Sequence, residues 1–367
     1  MIAAFLCRHR RLVTAVFGAF AFVSCTNESP TANNGVQPAV ADSRPNIVLI
    51  VADDLGYSDI GAFGGEIPTP NIDRLASGGM MLTEFYAHTA CSPARAMLMS
   101  GTDSHIAGLG VMGPSSHPLL ADAPGYESHL NFRVASLANL LKDAGYHTYM
   151  TGKWHLGADV ETGPRARGFE QSFISIDGAA HLGGLSWNGP GLAPYRDGEE
   201  LTTVGDDFYT TRFYTQRMID YLEADRGDDQ PFFAYLAYTA PHWPLQAPPE
   251  SIARFDGLYD DGYEALYDAR LERAKALGIV HEDFPGQPLV AGQPRWIDLS
   301  EEEKRIESRK MEIYAAMVSD LDRYIGEFLE YLESRDELEN TFVLFISDNG
   351  PEAIRRDLIR GEPSEWV

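Results

Sequence analysis

Asp53 and Asp54 close one apolar run, Asp348 and Asn349 close another, and Cys91 stands two residues ahead of Pro93 and four ahead of Arg95. The chain also offers Lys153 and His155 in "TGKWHLG" and His242 in "TAPHWP". Asp53, Asp54, Asp348 and Asn349 are hard oxygen donors with no His or Cys among them, a set that suits Ca²⁺ or Mg²⁺ rather than zinc. Their number favours Ca²⁺ over Mg²⁺, which keeps several waters. Each cluster alone has an ordinary reading: a helix cap, a turn, a packed histidine. Together they supply carboxylates, an amide oxygen, two imidazoles and two cations.

Cys91 is one of three cysteines, and the others, Cys7 and Cys25, fall in an N-terminus that reads as an export leader. There Arg8, His9, Arg10 and Arg11 precede the apolar run Leu12 to Cys25, which is shorter than the roughly 20 residues of a bilayer span. Its end, "FVSC", resembles a bacterial lipobox with Phe22 where Leu is commoner, so Cys25 is expected to carry a lipid anchor; simple cleavage nearby is the alternative. Residues 26–44 are polar and rich in Pro, Asn and Ser, and suit a disordered tether. Residues 1–25 are therefore read as leader, 26–44 as linker and 45–367 as the folded domain that carries these clusters. In the mature chain Cys91 is then the sole thiol. A buried thiol can be a small hydrophobe. Its neighbours argue otherwise: Pro93 fits the first turn of a helix, and Ala94, Ala96, Met97, Leu98 and Met99 continue it. A helix N-terminus favours negative charge, and Arg95 adds a fixed positive one. The pattern is an anion site with a reactive atom in it.

The elements that must hold these groups are legible too. "NIVLIVADD" (46–54), "PFFAYLAY" (231–238) and "TFVLFISDNG" (341–350) are apolar, β-branched or aromatic runs, as expected of strands buried on both faces of a parallel sheet. "RVASLANLLKDAG" (133–145) puts Val134, Leu137, Leu140 and Leu141 on one helical face, and "YHTYM" follows as a strand leading into Lys153 and His155. A long helix is expected over 301–334, with Ile306, Ile313, Met317, Leu321, Ile325, Phe328 and Leu332 mostly three or four apart. Strands alternating with helices imply an α/β fold with a mainly parallel sheet, in which ligands bind at the carboxyl ends of the strands. All the chemical clusters fall there.

Composition sets the outer bounds. The 367 residues, 44% hydrophobic with 17 Tyr and 18 Phe, are enough for a sizeable core. A formal charge of −25 excludes nucleic-acid binding by bulk electrostatics.

"VADDLGYSDIGAFGG", "CSPAR" with "AMLMSGTDSHIAGLG", "GYHTYMTGKWHLG", "APHWPLQAP" and "FVLFISDNG" closely resemble the type I sulfatases, in particular bacterial arylsulfatases, from about Pro45 to Gly350. The resemblance implies the alkaline phosphatase-like three-layer fold and hydrolysis of aryl or carbohydrate sulfate esters. It implies that Cys91 is oxidised to Cα-formylglycine by a formylglycine-generating or anaerobic sulfatase-maturating enzyme that reads Pro93 and Arg95. One hydroxyl of the hydrated aldehyde, activated by the metal and a carboxylate such as Asp348, attacks sulfur and expels the alcohol or phenol; loss of the second hydroxyl's proton then re-forms the aldehyde and ejects sulfate. Asp53, Asp54, Asp348 and Asn349 match the metal ligands, joined by the modified Cys91. Arg95 and Lys153 match groups that screen the sulfate, His155 the base for the second hydroxyl and His242 the leaving-group donor. His181, in "GAAHLGG", matches a place in the substrate pocket. Such a protein belongs in the periplasm or on the outer membrane. The alternatives are a phosphonate or phosphodiester hydrolase with the same modified cysteine, and an inactive truncated sulfatase fragment that at most binds sulfated ligands.

The resemblance also implies a second active-site lysine and a smaller C-terminal domain beyond the D-N-G motif. Neither falls within residues 351–367, so the expectation is a truncated catalytic domain of poor activity, with a bare sheet edge where later strands would pair.

Overall fold

The computed structural model describes residues 2–5, 44–114, 117–120, 123–176, 181–184, 192–228, 230–286 and 293–352. The leader beyond residue 5, Cys25, the linker to residue 43 and the segment 353–367 lie outside them. In chain order the elements are β1 (Ile2–Phe5), β2 (Asn46–Ala52), α1 (Pro70–Gly78), β3 (Met80–Met81), α2 (Cys91–Ser100), α3 (Leu137–Asp143), β4 (His147–Lys153), β5 (Gln171–Ser175), β6 (Tyr195–Asp197), β7 (Glu200–Thr202), α4 (Thr210–Ala224), β8 (Phe232–Ala237), α5 (Pro249–Ile252), α6 (Gly262–Ala276), α7 (Glu301–Ser334) and β9 (Thr341–Ser347).

The strands form one sheet in the order β3-β1-β9-β2-β8-β4-β5-β6-β7. Its centre, β9-β2-β8-β4-β5, is parallel throughout. The pleat of β2 shows how both faces are buried. Val48, Ile50 and Ala52 pack with Ile72 and Leu75 of α1, Tyr214 and Met218 of α4 and Ile313 to Leu332 of α7. Leu49 and Val51 pack on the other face with Ala96 and Met99 of α2 and Ala138 of α3. Successive strand side chains point to opposite faces, so a run that is apolar at every position needs a helical layer on each side. The expected mainly parallel α/β sheet is present.

Two expectations change. The helix expected from Arg133 begins at Leu137, because Ser136 accepts from the Asn139 N–H while the Asn139 side chain reaches back to the Ser136 backbone. The edge of β9 expected to be bare carries β1, paired antiparallel from Ile2 opposite Phe345 to Phe5 opposite Phe342. Strand pairing depends on free N–H and C=O groups rather than on proximity in sequence, so a segment read as leader can supply it. The long helix matches its expected span, closed at its start by a Ser300–Glu303 capping box.

Candidate active site

The site is built on the carboxyl rim of the parallel strands. Ala52 pairs with Ser347, which sets Asp53 beside Asp348, and the Asp348 N–H donates to the Ala52 carbonyl at 3.1 Å. Asp53 N–H donates to the Ala240 carbonyl, also at 3.1 Å, which ties the β8 exit loop to the same corner. Lys153 ends β4. The preceding Gly152 has φ +106°, and a Cβ there would lie 1.9 Å from the Ala237 carbonyl oxygen, so only glycine lets β4 approach β8 this closely. Cys91 is the first residue of α2, with Ala90 extended before it.

Asp53, Asp54, Cys91 and Asp348 present donor atoms all within 4.8 Å of one another. The Cys91 Sγ lies 3.9 Å from Asp54 Oδ1. Lys153 Nζ donates to both Asp53 oxygens, at 2.9 and 2.7 Å. Arg95 donates from Nε to Asp348 Oδ2 at 2.9 Å and from Nη1 to the Lys153 carbonyl at 2.8 Å. Asn349 Nδ2 donates to Asp54 Oδ1 at 2.6 Å, and His242 Nε2 stands 3.5 Å from Asp54 Oδ2. Cys91, Arg95, Lys153, His242 and the four oxygen donors thus meet on one rim, with His155 two residues past Lys153.

Burial and crowding set the charges. Burial first, then Asp53, pushes Asp54 up to about 7. Burial also raises Asp348 against the pull of Arg95. Burial opposes the positive charge of Lys153, but Asp53 together with the other acidic neighbours outweighs it, and the ammonium is held above its ordinary range. The Cys91 thiol is pushed far up by burial and, beyond that, by Asp53, Asp348 and Asp54 against Lys153. The helix N-terminus therefore does not make a thiolate here; burial first, and then the carboxylates within reach, keep the thiol protonated. His155 is held well below 6.5 by burial and then by Lys153, and its buried Nδ1 has no hydrogen-bond partner. His242 is lowered to about 3 by burial and Lys153. Its Nδ1 donates to the Trp243 carbonyl, which leaves Nε2 with a lone pair toward Asp54.

The donor set fits a hard divalent cation. Three carboxylates and an amide converge, and the Asn349 Oδ1, the amide's only acceptor, is buried without a partner. Such crowding raises carboxylate pKa values unless a cation joins it.

His181 is corrected in role. It is fully buried, its Nε2 donating to the His242 carbonyl at 2.8 Å and its Nδ1 facing the Thr210 hydroxyl at 3.2 Å, so it props the His242 loop from behind instead of lining the pocket. Burial lowers its pKa to about 4. Tyr235, unremarked in the apolar run of β8, places its hydroxyl 3.5 Å from Arg95 Nη1. The signal was available: a tyrosine in a strand buried on both faces needs a polar partner.

A sulfatase family model matches residues 45–364. The chain belongs to the sulfatase family. It is 45% identical over 322 residues to an uncharacterized sulfatase of Schizosaccharomyces pombe, covering 84% of this chain and 58% of that one. To an arylsulfatase of Klebsiella aerogenes it is 40% identical over 333 residues, covering 89% and 71%. Among solved structures, Ps i-CgsB in complex with k-i-k-neocarrahexaose is similar at TM-score 0.62 and 27% identity, covering 84% of this chain and 59% of that one. A phosphonate monoester hydrolase of Agrobacterium radiobacter shares the fold alone, at TM-score 0.52 and 21% identity over 85% of this chain and 64% of that one. These neighbours bear out the alkaline phosphatase-like α/β class. The chain spans little more than half the length of the first of these sulfatases and of the solved Ps i-CgsB.

Proposed function

We propose that the protein hydrolyses sulfate esters, with Cys91 converted after synthesis to Cα-formylglycine and a calcium ion held by Asp53, Asp54, Asp348 and Asn349. The observation that supports this most is the convergence of Cys91 and three carboxylates within 4.8 Å, flanked by Arg95 and Lys153. Three ionised carboxylates and two cations leave one net negative charge. A divalent cation reverses that to one net positive charge, matched to a monoanionic sulfate ester.

The aldehyde hydrate would supply one hydroxyl to attack sulfur and a second whose deprotonation releases sulfate. The cation would lower the pKa of the attacking hydroxyl and polarise a sulfate oxygen, and the attack would expel the alcohol or phenol. The protein's own groups do the rest. Arg95 and Lys153 are buried, permanently charged and fixed by Asp348 and Asp53, so they face developing negative charge without reorganising. His155 is neutral, with Nδ1 open, as a base must be. His242 presents Nε2 to the site, and the negative charge of a bound ester raises its pKa toward the donor role at the leaving oxygen.

An oligosaccharide is bound in the similar Ps i-CgsB structure, so carbohydrate sulfates are the class to assay beside aryl sulfates. The decisive measurement is phenol release from an aryl sulfate by preparations with confirmed formylglycine, against Cys91→Ala and against matched phosphonate and phosphodiester substrates. Turnover of the phosphorus esters without the sulfate would reassign the chemistry. We further propose export by residues 1–25, a lipid anchor at Cys25, a periplasmic or outer-membrane location, and maturation by a formylglycine-forming enzyme. Lipid labelling that survives Cys25→Ala would rule out the anchor. Among the described residues no helix is long and apolar enough to cross a membrane.

A further inference from the structure

The run that ends in Asp53 and Asp54 continues to a third carboxylate, Asp59, which has no part in the chemistry above. Asp54 has φ +61°, a left-handed conformation that a non-glycine residue holds only when its surroundings enforce it. The Asp54 N–H donates to Asp348 Oδ1 at 3.3 Å, and two residues further on the turn is held by Asp59. Its Oδ2 accepts the Gly56 N–H at 2.8 Å and the Tyr314 hydroxyl at 2.5 Å, and its Oδ1 accepts from Arg270 Nη1. The approach is so close that a Cβ on Gly56 would lie 2.3 Å from Asp59 Oδ2. Arg270 in turn forks onto Glu66, Nε to Oε2 at 2.6 Å and Nη2 to Oε1 at 2.8 Å, and Tyr259 donates to the same Oε1 at 2.8 Å. Arg273, one turn on, donates from Nε to the Gly64 carbonyl at 2.6 Å.

These contacts join the turn after β2 to two helices far away in sequence, α6 through Arg270 and α7 through Tyr314. Asp59 is 6% exposed, so its charge is compensated inside the protein by Arg270, not by water. We propose that Asp59 is a positioning residue. Clamped by Arg270 and Tyr314, it holds the Gly56 amide and thereby the left-handed turn that aims Asp53 and Asp54 at a shared cation. The inference rests on the metal reading of Asp53 and Asp54. It goes beyond that reading by assigning the rigidity of the ligand pair to a network outside the site, in the way outer-shell partners govern metal affinity.

The test is calorimetric titration of the metal-free protein with calcium, beside thermal unfolding of the same samples. Asp59→Ala should weaken the calcium Kd about ten- to a hundredfold, and Tyr314→Phe, which removes one hydroxyl and keeps the ring, severalfold. Asp322→Asn is the control for mere stability. Asp322 Oδ1 accepts the Asn71 and Ile72 amides at 3.0 and 2.8 Å and its Oδ2 accepts from Asn71 Nδ2 at 2.9 Å; the asparagine removes the charge at the start of α1 and sets a donor against that Nδ2, so it should lower the unfolding temperature and leave the Kd unchanged. Wild-type affinity in both Asp59→Ala and Tyr314→Phe would overturn the clamp, as would an equal weakening by Asp322→Asn. No measurable calcium binding by the unaltered protein would overturn the metal reading itself, and the clamp with it.

Discussion

Lys153 reaches both oxygens of Asp53, at 2.9 and 2.7 Å, with the lysine 3% exposed and the aspartate wholly buried. A buried pair of this kind is costly to break, because the partner left behind keeps its charge without water. Lys153→Met should therefore destabilise the metal-free protein by about 3–5 kcal/mol. Calcium should recover part of that loss by taking over Asp53, so its stabilising effect should be larger in the variant than in the unaltered protein. Scanning calorimetry with and without calcium measures both. Equal shifts in the two proteins would show that Asp53 does not meet the metal.

Asp53→Ala and Asp348→Ala should each abolish both bound calcium and turnover, since each removes a ligand and a charge from the cluster of four donors. Metal content by mass spectrometry and aryl sulfate rates are the readouts. Retained activity with bound zinc would show a different site.

Cys91 is expected to be found as formylglycine when the protein is made beside a maturation enzyme. Its thiol is held protonated by burial and by the neighbouring aspartates, which makes the unmodified side chain a poor nucleophile. Peptide mass spectrometry should show loss of sulfur and two hydrogens with gain of one oxygen at residue 91. An active preparation with an unmodified thiol would refute the role given to Cys91.

His181 should make stability fall with acid. Its pKa is near 4 in the fold, against 6.5 for an ordinary histidine, because burial disfavours the charged ring. The unfolded chain therefore binds the extra proton between those values. Stability from this group is full above pH 6.5 and declines as pH drops toward 4, by on the order of 3 kcal/mol across the window. Urea midpoints at neutral and acid pH, compared between the protein and His181→Gln, isolate the effect. The same slope in both would assign it elsewhere.

Much of the site could be read from local pattern. Strand ends are marked by where an apolar run stops, and residues just past the stop project from the sheet rim, so Asp53, Lys153, His242 and Asp348 were placed by sequence alone. The capped start of α7 and the Pro93 turn of α2 are local in the same sense, because each depends on residues three or four apart. Nothing local says which groups meet. Asn349 and Asp54 touch from 295 residues apart, and Arg95 and Asp348 from 253, through a sheet order set by how strands pack. The same holds for the charge state of Cys91: a helix N-terminus next to Arg95 favours negative charge, but the fold buries the thiol and brings three carboxylates to it, and both keep it protonated. His181 read as a pocket residue because a histidine's type does not say which side of a loop it occupies. Asp59 read as one more residue of a motif because Arg270 and Tyr314 are supplied by helices more than 200 residues away. Local periodicity determines what each segment becomes, whereas the pairing of buried charges is decided by tertiary packing, the only thing that brings their partners within hydrogen-bonding distance.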